Sequence, residues 1–351
     1  MILTAVAPIR VADVGGWTDT WFAGHGRVCN LAVYPYVEVQ VACLPRAIDF
    51  PRVQVHAENY GLRFSIEDID RAYDKLPLLE CALRRLGIPD HLRLEVSLHC
   101  EVPPGASTGT SAAVSVAIIA ALDQLNPGRR TPYEIARLAH QIEAEDLGLQ
   151  SGVQDQLCAA YGGINLIEIT AFPNASVSPV PVPNSIWWEL ERRLALVYVG
   201  KPHQSSKVHQ EVIRHMGDGA SSNSRLERLR GLALKAKDAL ALGDWSMLGE
   251  VWNENTQVQR ELHPALVCSD FEKVISIAND HGCLGAKVNG AGGDGGSVTV
   301  LCAGRSDAKR AMLRNMVQAG YCPIPIYLAR QGLRVWSDHG RSHPGSALDR
   351  L

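Results

Sequence analysis

Nowhere in its 351 residues does the chain carry the roughly 20 consecutive apolar residues that a membrane helix needs. A helical membrane span is therefore not expected. The start, MILTAVAPIRV, lacks the charged then apolar layout of a signal peptide, which points to the cytoplasm. Neither sign of charge prevails: 34 Lys and Arg against 37 Asp and Glu leave a net charge of -3. That balance removes the electrostatic case for nucleic acid or an anionic membrane as a partner. There is no CxxC pair; nine cysteines, an odd number, are scattered singly from Cys29 to Cys322. Such usage suits reduced, buried thiols better than disulfides or zinc. No internal repeat or low-complexity tract is present, and the length exceeds what one hydrophobic core usually supports, so two domains are expected.

What is present reads as mixed α/β. Val37, Val39, Val41 and Cys43 alternate with polar residues, as do Leu92, Leu94, Val96, Leu98 and Cys100, and both runs predict strands with one buried face. Residues 52–66 read as a hairpin turning at Asn59-Tyr60-Gly61. Ile135, Leu138, Ala139 and Ile142 fall on one helical face, with Thr131 as cap, Pro132 at the first position and Glu134 completing a capping box. Residues 112–122, AAVSVAIIAAL, are apolar on nearly every side and predict a central, buried helix. Prolines and small polar residues over 171–186 read as a connection and the domain boundary, giving domains 1–185 and 186–351. Beyond it, a strand at 194–200, charged helical stretches over 224–260 and 270–281, and a strand at 297–302 indicate a second α+β unit. The tail from 337 reads as poorly ordered.

Three glycine-rich stretches stand out: VADVGGWTDT at 11–20, PPGASTGTSAA at 103–113 and NGAGGDGGS at 289–297. The second lies between a strand ending near Cys100 and the buried helix starting near Ser111. That places unpaired N–H groups and the positive end of a helix dipole where a phosphate can bind. It fits equally a Ser/Thr-rich cap after a turn. A Walker A loop is absent, since Gly105 and Gly109 are too close and no lysine follows. A dinucleotide fingerprint is absent at Gly15-Gly16, and NGAGGDGGS runs into a strand rather than a helix. In SGVQDQLCAAYGG, Asp155 heads a helix, where it either caps or orients a substrate hydroxyl. Glu143 is either a solvated helix charge or, paired with a loop hydroxyl, the protein's share of a magnesium site.

Together these stretches, in this order, resemble the GHMP kinases: galactokinase, homoserine kinase, mevalonate kinase and phosphomevalonate kinase. APIRVADVGGWTDT (7–20) resembles the galactokinase-type APGRVNLIGEHTDY, its GGWTDT ending being nearer to fucokinases and heptose 7-phosphate kinases. PPGASTGTSAA is similar to the nucleotide loop PPGAGLGSSAA, SGVQDQLCAAYGG to the segment of the catalytic aspartate, and KVNGAGGDGGSVTVL (287–301) to the third motif. The resemblance covers most of the chain. It implies a ribosomal-protein-like N-terminal α/β domain and a ferredoxin-like C-terminal domain. It implies a kinase with ATP and Mg2+ that phosphorylates a sugar hydroxyl, the anomeric one first. It places Pro104, Gly105, Ala106, Ser107, Thr108, Gly109, Thr110 and Ser111 around the nucleotide, and Ser111 with Glu143 on magnesium. Asp155 and Arg10 would be catalytic, and Gly16, Trp17, Thr18, Asp19, Gly292 and Gly293 would meet the substrate.

Departures from the pattern matter. Ser107, Thr108 and Thr110 replace Gly, Leu and Ser of the loop, and Asp294 stands where the third motif has Gly. Gly16 and Trp17 replace a Glu-His pair, which argues against galactose; Trp17 is either a sugar-stacking ring or core. A heptose 7-phosphate needs cations for its own phosphate, with Lys207, His203 and Arg10 as candidates, whereas free fucose or mannose needs none. Lys207 reads equally as a surface lysine. Two readings of other classes compete: a non-catalytic sugar or nucleotide-binding protein on this scaffold, and a glycosidase using Glu143 and Asp155, which leaves the loop unexplained. A homodimer stays open.

Overall fold

The computed structural model describes residues 1–201, 210, 212–215 and 223–338. Its first layer is a nine-stranded sheet among the described residues. β1 (Ile2–Val14) and β2 (Gly26–Pro45) form its antiparallel spine. The predicted alternation holds in the second half of β2, where Val37, Val39, Val41 and Cys43 are buried. That half pairs with β5 (Leu92–Cys100), which in turn carries the hairpin β3 (Val53–Ala57) and β4 (Leu62–Ile66). Gly61 closes the hairpin's helical turn with φ 59°, a left-handed conformation in which glycine meets no Cβ penalty. The first half of β2 is buried over residues 28–33 on both faces.

Helix α1 (Pro77–Leu86) and the helix α2 (Thr110–Asp123) pack beneath the sheet, α2 buried from Ala112 to Asp123 as its unbroken apolar run requires. Helix α3 (Pro132–Gln141) has the expected capping box: Glu134 N–H donates to the Thr131 hydroxyl, and the Glu134 carboxylate accepts the Thr131 N–H. The helix runs on as a π-turn, Ile142–Asp146, and after a short loop α4 (Gln154–Tyr161) follows. The chain then forms β6 (Ile164–Ala171), which pairs with the first half of β2. The stretch 171–186, expected to be a plain connection, contains an edge strand, β7 (Asn174–Pro179), paired with β6. Its prolines are tolerated because an edge strand leaves one side of its backbone without a ladder.

After α5 (Asn184–Arg193) the second sheet begins with β8 (Leu194–Tyr198). The expected charged helical stretch is two helices, α6 (Ser224–Leu242) and α7 (Trp245–Leu262), broken where Gly243 turns left-handed and Asp244 caps the next helix. Then come α8 (Ser269–Asp280), β9 (Gly285–Val288), β10 (Ser297–Leu301), α9 (Ser306–Gln318) and β11 (Cys322–Ile324). The strand order β11-β8-β10-β9 is antiparallel throughout and is that of a ferredoxin-like sheet. The chain then returns: β12 (Tyr327–Leu328) pairs with β2, and β13 (Arg334–Asp338) with β1. A cut at residue 185 therefore separates two strands from the sheet they complete, and part of the tail expected to be loose, Ser337 and Asp338, is strand. None of the helices among the described residues is long and apolar enough to cross a membrane.

Candidate active site

A cavity of about 270 Å³ opens where β1, the N-termini of α2 and α4, the π-turn and the β9–β10 loop converge. The loop before α2 is shaped by left-handed residues: Gly105 (φ 75°), Ser107 (φ 58°) and Gly109 (φ 68°). Ser107, standing where the related loop has Gly, keeps glycine's backbone conformation at a cost of about 1 kcal/mol. Contacts from elsewhere in the fold hold it there. Arg10 donates its backbone N–H to Thr108 O (2.9 Å) and its guanidinium to Ser107 O (2.5 Å), and the Ser297 hydroxyl donates to Ala106 O (2.6 Å). The hydroxyls of Thr108 and Thr110 meet each other at 3.1 Å, with Thr108 buried. Pro104 is exposed at the loop's outer side.

Arg10 lies on β1 and forks onto Asp155 at the head of α4, Nε to Oδ1 at 2.7 Å and an Nη to Oδ2 at 3.1 Å. This bidentate geometry fixes the carboxylate in orientation as well as in charge. Burial opposes the Arg10 charge, but Asp155 and then Asp13 raise its pKa above the ordinary value. Gly109 is pressed against the pair: a Cβ there would lie 3.2 Å from the Asp155 carboxyl and from the Arg10 side chain.

Across the cavity, the π-turn directs Glu143 inward, consistent with the tendency of such turns to occur at functional sites. Its carboxylate accepts hydrogen bonds from the hydroxyl of Ser151 (2.9 Å) and the amide of Gln156, and Ser111 lines the same cavity. Burial, reinforced by the charge of Asp155, pushes the Glu143 carboxyl up to about 7 against those hydrogen bonds. A buried carboxylate joined to a hydroxyl is an all-oxygen donor pair that suits a hard divalent cation retaining most of its other oxygen ligands. Among the described residues no group of three or more His, Cys, Asp or Glu could hold a metal ion by itself.

The turn after β1 supplies the third wall. Asp19 is buried, its Oδ2 accepts the Gln154 N–H at 3.2 Å, and burial followed by the Asp155 charge lifts it to about 7. Gly152 must be glycine, because a Cβ would fall 2.0 Å from that Asp19 oxygen. Trp17 is buried with φ 79°, packs beside Phe22 at 6.2 Å and lines the cavity, so its ring is chiefly core with an edge toward the site.

Other expected residues are placed differently. The Thr18 hydroxyl is used within its turn: its one proton lies within reach of Gly15 O (2.8 Å) and Arg27 O (3.0 Å), and its oxygen accepts the Arg27 N–H. Gly16 contributes absence: a Cβ there would meet Asp13 Oδ2 at 2.6 Å. From the third glycine stretch it is Gly290 and Ala291 that line the cavity. Gly292 and Gly293 lie against Leu266, whose carbonyl accepts the Gly293 N–H at 3.0 Å and would collide with a Cβ on Gly292 at 2.1 Å. Asp294 is exposed. Lys207 and His203 lie outside the described residues.

Two residues at the site were not singled out by sequence. Asp13 lines the cavity and pairs with Lys287 at 3.4 Å, each side chain being 1% exposed. Burial works against the Asp13 charge, yet Lys287 and Arg10 hold its carboxyl below the usual range; burial pulls the Lys287 ammonium down while Asp13 opposes this. The signal for Asp13 was present in Val11-Ala12-Asp13-Val14, a charge between apolar residues of a strand that already carries Arg10.

A glycine-bearing loop at a helix N-terminus, an Arg-held aspartate and a buried carboxylate among hydroxyls around one cavity are groups that a phosphotransferase site needs. The comparisons agree. Residues 76–163 match the GHMP kinases N terminal domain, and 236–319 the GHMP kinases C terminal domain. The chain is 30% identical over 298 residues to a D-glycero-alpha-D-manno-heptose 7-phosphate kinase of Campylobacter jejuni, covering 82% of this chain and 86% of that one. It is 28% identical over 323 residues to the bifunctional fucokinase/GDP-fucose pyrophosphorylase of Arabidopsis thaliana, covering 87% of this chain but 30% of that longer protein. A solved D-glycero-D-manno-heptose 1-phosphate kinase from Bacteriodes thetaiotaomicron shares the fold at a TM-score of 0.75 and 20% identity, covering 96% of this chain and 100% of that one. The chain belongs to the GHMP kinases and is a phosphotransferase with an alcohol group as acceptor.

Proposed function

We propose that the protein is an ATP- and Mg2+-dependent sugar kinase that phosphorylates the anomeric hydroxyl of a heptose 7-phosphate. The observation that carries the reading is the Arg10–Asp155 fork facing Ser111 and Glu143 across a single cavity, beside the left-handed loop Gly105–Gly109. The loop N–H groups and the α2 dipole receive the nucleotide phosphates. Asp155 accepts the hydrogen bond of the attacking hydroxyl and orients it toward the γ-phosphoryl; Arg10 keeps that carboxylate in place and faces the transferring group. Asp19 hydrogen-bonds sugar hydroxyls. Ser111 and Glu143 hold Mg2+, which would neutralise charge on the phosphates. The similarity to the Campylobacter heptose 7-phosphate kinase over most of both chains supports the choice of acceptor.

A free sugar as acceptor is the second reading, favoured by one observation. Among the described residues that line the cavity, Arg10 is the only cation, and it is engaged by Asp155. A coupled ADP-release assay with D-glycero-D-manno-heptose 7-phosphate, fucose, mannose and galactose, followed by 31P NMR of the product, separates the readings. The first expects turnover of the heptose phosphate and a phosphate on the anomeric oxygen. Turnover of free sugars alone transfers the assignment to the second reading, and turnover by Asp155→Ala equal to wild type overturns both.

A further inference from the structure

Beside the cavity two cations and two carboxylates meet in one cluster: Arg10, Lys287 and Asp13, all buried, and Asp155, which is partly exposed. Arg10 is shared unequally between the two carboxylates. It forks onto Asp155 at 2.7 and 3.1 Å, while its nearest approach to Asp13 is 3.9 Å. Asp13 is no less buried and no less charged, so it competes for the same guanidinium. What distinguishes the two is that Asp13 Oδ1 already has other partners: the Lys287 ammonium at 3.4 Å and the Gly290 N–H at 3.1 Å. Its Oδ2 is met by the Gln154 amide at 3.4 Å. Asp13 cannot swing away from these partners toward open space, because Gly16 is folded over it and leaves no room even for a Cβ.

Lys287 is itself fixed. It projects from β9 of the second sheet and donates to Gln259 Oε1 (3.3 Å) on α7 and to Val288 O. The contact therefore joins the two lobes. Gly290, at the tip of the same segment, approaches Ser107 and Arg10, with a Cβ there coming to 3.2 Å from the Ser107 carbonyl oxygen and an Arg10 Nη.

We propose that Lys287 and Asp13 are positioning residues: Lys287 occupies Asp13, and thereby leaves the Arg10 fork to Asp155. Removing the Lys287 charge leaves Asp13 buried and uncompensated, and the nearest cation able to answer it is Arg10. Drawing Arg10 over by the 1 Å or so that separates an ion pair from a contact releases Asp155 from its bidentate hold. A misplacement of that size costs up to about 10²-fold in rate. Neutralising both members removes the competitor as well as its partner, and the fork returns to Asp155. This goes beyond the kinase reading by assigning a role to two residues that the reading leaves unused.

The test uses the full chain and two readouts. The 15N–1H resonance of Arg10 Nε, assigned by its disappearance in Arg10→Lys, reports the fork without any substrate. Steady-state kcat and KM, with the acceptor found by the sugar panel, report its consequence. Lys287→Met is expected to move the Arg10 Nε resonance and to lower kcat by about tenfold or more, with both KM values nearly unchanged, since the contact acts on the reacting carboxylate rather than on binding. Asp13→Asn combined with Lys287→Met is expected to restore the resonance and bring kcat back to within about threefold of wild type, the sign of coupling between the pair. A Lys287→Met protein with an unmoved resonance overturns the proposal. So does a folded double variant, verified by its thermal transition, whose resonance stays displaced or whose kcat stays low. Should Lys287→Met not fold, the double variant alone decides by the same criteria. If no sugar in the panel is phosphorylated, the substrate reading fails while the resonance still tests the proposal.

Discussion

Asp155 and Asp19 are two carboxylates of one cavity with different surroundings, and their substitutions should differ accordingly. Asp155 has the Arg10 fork, so Asp155→Asn should leave the fold largely intact and, if it orients the attacking hydroxyl as proposed, lower kcat by about 10²–10⁴-fold. Nucleotide affinity, measured by titration calorimetry, should change little. Among the described residues no cation faces Asp19, which is lifted to about 7 by burial and by Asp155. In the unfolded chain it ionises near the ordinary aspartate value of about 3.9. Between about 4 and 7 the native state therefore binds a proton that the unfolded state has released, so this group's contribution to stability falls as pH rises through that window and levels off above it. Asp19→Asn should reduce the drop in thermal midpoint between pH 5 and pH 7.5 relative to wild type. At this scale Arg10, Ser111, Glu143 and Asp155 were legible because each belongs to a motif. Asp13 and Lys287 lie in the same motifs, but their pairing spans 274 positions of sequence and exists only once both are buried.

At the scale of elements, the site depends on how segments end. Helix α3 and its π-turn carry Glu143, and the capping box at Thr131 fixes where that helix starts. Thr131→Ala should cost about 1 kcal/mol, read as a lower chemical denaturation midpoint with unchanged slope. The β9–β10 loop touches the loop before α2 at Gly296, where a Cβ would come within 2.4 Å of the Ser107 hydroxyl and where φ is 115°. Gly296→Ala should push the two loops apart and raise the KM for ATP more than that for the sugar. The hairpin at 53–66, α2, α3 and the alternating strands were legible from periodicity and caps. The π-turn and strand β7 were not. A π-turn has the same composition as the helix it extends, and β7 is a proline-bearing edge whose pairing comes from β6 rather than from its own pattern.

For the molecule as a whole, the decisive feature is the return of the chain to its first sheet. β13 covers one side of β1 over the register Ile2–Asp338 to Val6–Arg334, and β12 pairs with β2 at Tyr34 and Val33. A fragment of residues 1–185 leaves β1 as an open edge carrying buried-type residues such as Leu3 and Ala5, and should aggregate rather than give a cooperative thermal transition. Removal of residues 334–351 should likewise lower the midpoint of the full chain by several degrees, by calorimetry. Sequence alone determined most kinds of element, the glycine-rich turns and Arg10, Ser111, Glu143 and Asp155 as residues of one cavity, because these follow from local periodicity, from backbone freedom and from motifs a few residues long. Which lobe closes the first sheet, which carboxylate receives Arg10 and which holds Lys287 were decided only by the tertiary structure, because burial and the sharing of charge among four side chains depend on distances that no local pattern encodes.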